Sequence, residues 1–143
     1  MRSRQLVLVG FLLALTIAAA ASDETGVSVR DAWIRETAPG MAMMAGYMEL
    51  RNNASRPQLL VAASSAGFES VMIHRTTVKD GMAGMVHVSQ IELAPNGSLT
   101  FAPGGYHLML MHPKRALRAG ETVIINLEFS NGLVLPAAFR VRK

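Results

Sequence analysis

Two histidines and two methionines stand at a spacing that suggests a single site. His74 is followed by ten residues and then Met85; Met85 is followed by twenty-one residues and then His107-Leu108-Met109. Imidazole and thioether are neutral donors, one borderline and one soft, and together they suit a soft monovalent ion, copper(I) before any other. Charge sharpens the choice. Copper(I) among these four ligands leaves the site at +1, whereas zinc(II) would stand at +2 with no carboxylate or thiolate to offset it, and thioether is not a usual zinc ligand. The chain has no cysteine. A thiolate-based blue-copper centre is therefore excluded, as are disulfides and thiol–disulfide exchange.

The elements that must position these donors are strands. In a strand over Tyr106 to His112, His107, Met109 and Met111 share one face and Tyr106, Leu108, Leu110 and His112 the other. Residues two apart on one face lie about 7 Å apart along the backbone, close enough for flexible side chains to converge. Leu108 and Leu110 can anchor the strand in a core, while Pro103-Gly104-Gly105 puts His107 near the strand's start, where a metal can enter. His74 and Met85 come from the two arms around Asp80-Gly81, and a hairpin there brings the arms into cross-strand proximity. Met82 lies nearer its tip.

The rest of the chain has the same character. Short runs alternating with period two cover Val27–Arg35, Ala45–Leu50, Gln58–Ser64, Ser70–Val78, Met85–Leu93, Ser98–Phe101, Tyr106–His112, Thr122–Phe129 and Leu133–Arg142. In the first, Val27, Val29, Asp31 and Trp33 are expected on one face, and Ser28, Arg30, Ala32 and Ile34 on the other. Turn residues separate the runs, which predicts a β-sandwich or barrel with no helix. Pro136 predicts an edge strand or a bulge at the end of the chain.

Residues 1–21 read as a secretory signal, with Arg2 and Arg4 ahead of an apolar core from Leu6 to Leu15 and small residues at Ala18–Ala21. The core is short for a membrane span, so cleavage near Ala21 and no stable membrane span afterwards are expected. Residues 22–143 then form one domain of ordinary size. Arg2 and Arg4 leave with the signal, so 12 basic residues face 10 acidic ones. The small basic clusters at Lys114-Arg115-Arg118 and Arg140-Arg142-Lys143 lack interleaved aromatics, so no nucleic-acid partner is expected.

Ten methionines could also be plastic core filler. Taken singly, Met41, Met43, Met44, Met48 and Met72 read that way, although Met41, Met43 and Met44, just after Pro39-Gly40, could also make a soft-metal patch or contact surface. His87 and His112 read as structural, His87 with the added possibility of assisting Met85, whose strand parity it shares.

The four-residue motif resembles that of the periplasmic copper(I) chaperone family known as PCu(A)C, a histidine, ten residues, a methionine, twenty-one residues, then His-x-Met, matched by His74, Met85, His107 and Met109 without a change of spacing. Ala32-Trp33-Ile34-Arg35 with Ala38-Pro39-Gly40 is similar to the family's opening strand and turn, and the run from Pro103 to Met111 to its most recognisable segment. The resemblance implies an all-β, cupredoxin-like Greek-key β-sandwich of a single domain. It implies a periplasmic chaperone that holds copper(I) and delivers it to the copper-centre subunit of a respiratory oxidase, a part in cytochrome oxidase assembly. Some family members carry a His- and Met-rich C-terminal tail associated with copper(II); Arg142-Lys143 follow an ordinary strand here, so no second, copper(II) site is expected.

Four functions compete. A metal carrier, not an enzyme, comes first. A periplasmic copper buffer or resistance protein is the alternative. A copper oxidase or reductase lacks a second histidine cluster and a substrate motif. A metal-free interaction module would tolerate loss of all four motif residues. A carrier without thiols also needs a separate thiol reductant or assembly factor to prepare a disulfide-bonded acceptor.

Overall fold

The structure, a computed structural model, describes residues 26–143; the secretory signal read over residues 1–21 lies outside them. The described residues form ten strands and no helix. They are β1 (Val27–Arg35), β2 (Met43–Asn52), β3 (Gln58–Ser64), β4 (Phe68–Lys79), β5 (Met82–His87), β6 (Ile91–Leu93), β7 (Ser98–Phe101), β8 (Tyr106–Pro113), β9 (Thr122–Phe129) and β10 (Val134–Arg142). One sheet closes on itself in the order β2, β8, β4, β3, β9, β10, β1 and back to β2. Only β1 and β10 run parallel around this ring. Closure removes most free edges, and the inner faces meet in a core that includes Ile34, Leu50, Leu60, Phe101, Leu108, Leu110, Ile125, Leu127 and Phe139. The all-β expectation holds.

Four local expectations are corrected. The run Met85–Leu93 is two strands, because the chain changes partner across Val88–Gln90: β5 pairs with β4, whereas β6 crosses the seam to pair with β3. Alternation in β1 breaks at Asp31, which takes a left-handed φ of 45° at a register shift between Arg30 and Trp33. The bulge shifts the parity, so Val27 and Ile34, expected on opposite faces, both enter the core. His112, expected beside Leu110, has φ 48°, and its N–H donates to the Ala42 carbonyl while its ring swings out to Glu69 at 3.0 Å. Strand β10 lies between β1 and β9 rather than at an edge; Pro136 is tolerated because β1 joins only at Arg140–Arg142, so at residue 136 the chain pairs on the β9 side alone.

Candidate metal centre

Three neighbouring strands and one hairpin turn build the site. The β4–β5 hairpin closes on two residues, Asp80 and Gly81, with φ 52° and 75°. Two successive positive φ values are what a tight turn needs to match the strands' right-handed twist, and Asp-Gly supplies them at least strain. Across β8 and β4 the registry places His74 opposite His107 and Met72 opposite Met109. Across β4 and β5 it places His87 opposite His74, and Met85 opposite Thr76. Since Leu108 and Leu110 point into the core, the alternate residues His107 and Met109 point outward. His74, Met85 and His87 share that outer face.

Around His107 and Met109 the face is nonetheless covered. His107 is only 4% exposed and Met109 8%. Strand β2 continues the rungs with Ala45 opposite Met109 and Met43 opposite Met111. Beyond them, Trp33 and Tyr47 pack with ring centroids 4.7 Å apart and planes tilted by 41°, near the Arg35 guanidinium, which lies 5.8 and 5.9 Å from their rings. Between these walls is a hollow of about 390 Å³, lined by His107, Met109, Met85, Met41, Met43 and Tyr47 among others.

Hydrogen bonding orients the histidines. His107 Nδ1 lies 3.2 Å from the Gly105 carbonyl oxygen, which can only accept, so Nδ1 carries the proton. That leaves a lone pair on Nε2, which is buried without any hydrogen-bond partner. The same carbonyl also accepts from the Thr76 N–H at 3.0 Å, fixing it to the neighbouring strand. It sits just past the Pro103-Gly104 turn, where the Gly105 N–H closes back on Ala102 and Gly104 takes φ 84°. His74 Nδ1 is likewise buried and unpartnered. Buried polar atoms are rarely left so, and two unpartnered ring nitrogens on adjacent imidazoles, 5.9 Å apart by centroid, suit a cation.

Electrostatics keep His74 neutral. Its pKa lies below the ordinary value, chiefly because burial penalises the imidazolium and then because His107 and His87 repel a second positive charge. Neutral imidazole is the form that ligates a metal. Among the described residues, no three His, Cys, Asp or Glu side chains converge into a cage for a metal ion. The three imidazoles of His87, His74 and His107 lie in a row across three strands, not around a point. Further soft donors near His107 on this face are the thioethers of Met85 and Met109.

The structure brings His107, Met109 and Met85 to one hollow and sets His74 beside His107 on the same face. Met85 is exposed, on a strand whose every residue is exposed. His87 is closer to the cluster than its reading as a structural residue implied: its ring meets that of His74 edge-on at 5.8 Å. Met41, Met43 and Met44 all line the hollow, Met44 as a buried core residue, as expected of a lone methionine, and Met41 and Met43 as half-exposed ones. Arg35 and Tyr47 carried no sequence signal for this place; only the pairing of β2 with β8, and of β1 with β2 beyond it, brings them in.

An all-β barrel with imidazole and thioether side chains gathered at the mouth of an outer hollow defines a metal-binding domain. A family profile described as "Putative lipoprotein LpqE-like" matches residues 27–141. The chain belongs to this LpqE-like family, the family of the PCuAC domains. A protein named "Putative lipoprotein Lxx21020" from Leifsonia xyli is 36% identical over 118 residues, 82% of this chain and 70% of its own length. An uncharacterised Rickettsia prowazekii protein, RP573, is 33% identical over 86 residues, 59% of this chain and 48% of its own length. Among solved structures, the copper-bound PCuAC domain of PmoF2 has a TM-score of 0.69 at 26% identity, over 82% of this chain and 92% of that one. The copper(I) form of DR1885 from Deinococcus radiodurans has a TM-score of 0.65 at 36% identity, over 87% of this chain and 82% of that one. No helix among the described residues is long and apolar enough to cross a membrane.

Proposed function

We propose that this protein is an exported copper(I) chaperone, with residues 1–21 as its cleaved secretory signal and residues 22–143 as a periplasmic copper-binding domain. His74, Met85, His107 and Met109 are its ligands. The observation that carries the reading is the unpartnered Nε2 of His107, aimed by the Gly105 carbonyl into a face that also carries His74, Met85 and Met109. The copper(I) form of a neighbour at 36% identity supports the choice of ion.

The donor set suits a carrier. Two thioethers and two neutral imidazoles hold copper(I) without thiolate, so the ion stays exchangeable, and Met85 on the exposed hairpin strand is the ligand an incoming acceptor reaches first. The acceptor we propose is a respiratory-oxidase copper centre whose cysteines bind copper more strongly. The protein acts by binding and handing over, not as an enzyme. Lacking cysteine, it leaves reduction of the acceptor's disulfide to a separate thiol protein.

The test is transfer between purified partners. Copper(I)-loaded protein is mixed with the reduced and with the disulfide-bonded oxidase copper domain, and the metal is followed by NMR or mass spectrometry. Delivery to the reduced form alone is expected. Copper retained in the presence of the reduced form would favour the buffer reading, and delivery to the oxidised form without reductant would contradict the division of labour.

A further inference from the structure

Two methionines outside the four-residue motif face the same hollow. Met43 stands on the outer face of β2, one rung from Ala45, which itself lies opposite Met109. Alanine fills little of the hollow beside Met109, and both residues line it. Met41 is brought back over the hollow by the turn in which its N–H meets the Ala38 carbonyl at 3.3 Å. Both side chains are about half exposed, at 51% and 47%, yet both line the hollow together with Met109 and His107. Large apolar side chains left half in water gain little from burial, whereas Met44, next along the chain, is packed in the core and meets the hollow only from beneath. What Met41 and Met43 offer at this place is sulfur.

We propose that Met41 and Met43, with Met109 as a shared third donor, form an entrance station for a soft monovalent cation at the mouth of the hollow. This rests on the four-donor reading of the inner site. An ion arriving from solvent or from a donor protein is first held by the thioethers of Met41, Met43 and Met109. It then moves inward as His107 and His74 replace the two outer sulfurs, with Met109 bound throughout. All donors are neutral, so the exchange moves no proton and changes no oxidation state. One ion occupies the two stations in turn. Three thioethers hold it more weakly than the mixed inner set, as an entry point requires.

Met82 provides an internal control. It is 75% exposed at the tip of the β4–β5 hairpin and does not line the hollow, so it reports the affinity of an isolated surface thioether. The experiment uses protein with isotope-labelled methionine methyl groups, titrated with silver(I) as a redox-inert probe. In wild-type protein the Met85 and Met109 methyls shift within the first equivalent. Failure there would overturn the inner site and leave the entrance to be judged by itself. In a His74→Ala variant, whose inner site is disabled, the Met41, Met43 and Met109 methyls are expected to shift together, with a midpoint at least about tenfold below that of Met82, the scale on which a supporting ligand matters. Met41 and Met43 titrating with Met82 would overturn the station. A second variant needs no damage to the inner site: Met41→Leu/Met43→Leu conserves volume. It should keep the equilibrium copper(I) affinity of the wild type while loading more slowly from a copper(I) chelator. Unchanged loading would also overturn the proposal.

Discussion

At the scale of single residues, the site depends on which lone pairs are free. His107 presents Nε2 because Gly105 holds Nδ1, and Met109 is buried beside it. His107→Ala or Met109→Ala should therefore weaken copper(I) at least about tenfold, since losing a ligand costs no less than losing its supporting partner. His87→Ala should cost much less. Competition against a chromophoric chelator measures both, and X-ray absorption of the wild-type complex should show sulfur; a shell of nitrogen and oxygen alone would remove the methionines from the site. The depressed pKa of His74 has a pH consequence. A base whose pKa is lowered on folding takes up its proton more readily when unfolded, so its contribution to stability is present above about 6.5 and is lost as pH falls toward the folded value. By the same effect, protons compete poorly with copper(I) at this ring. NMR titration should find His74 with a midpoint below the ordinary value, and His87→Gln should move that midpoint upward by removing a repelling charge. A His74 midpoint at or above 6.5 in the apo protein would refute this.

The hairpin is the element whose geometry most affects the site. Every residue of β5 is exposed. The strand therefore adds little to the core, yet it alone carries Met85. Gly81 has φ 75° with open space where a Cβ would sit, so a side chain there meets strain without a clash. Gly81→Val should impose about 1–2 kcal/mol on the closed hairpin. Copper(I) affinity should fall by up to roughly 30-fold, while the apo melting temperature hardly moves. A substantial drop in that temperature would show that the hairpin belongs to the cooperative core. The Asp80-Gly81 turn was legible in the sequence because its residue types answer a purely local demand. The split of Met85–Leu93 was not: both halves are strand-like, and which neighbour each pairs with is set by the seam between β3 and β4.

For the whole molecule, closure of the barrel separates stability from metal binding. Leu108 and Leu110 lie on the opposite face of β8 from His107 and Met109, so the core is complete without an ion. The apo protein should be folded, with dispersed amide signals, and an excess of copper(I) at about a hundred times its dissociation constant should add roughly 2.7 kcal/mol by linkage. Leu108→Ala should cost about 2–5 kcal/mol in apo and loaded protein alike. An unfolded apo form would make the metal structural and the carrier role untenable.

The candidate donor set, the all-β class and the absence of thiol chemistry were all readable in the chain, because each follows from residue type, spacing or local alternation. The outward direction of His107 and Met109 followed from the same alternation, since Leu108 and Leu110 claim the core. What depended on distant partners was not readable. The bulge at Asp31 reverses half of β1, the ring of His112 leaves the core face for Glu69, and Pro136 finds a gap inside the sheet instead of an edge. Arg35, Tyr47, Met41 and Met43 reach the hollow only because β2 pairs with β8 and carries β1 and the turn leading into β2 along. Side-chain periodicity is a property of one strand. A wall around a site is a property of several, and only their packing decides which residues complete it.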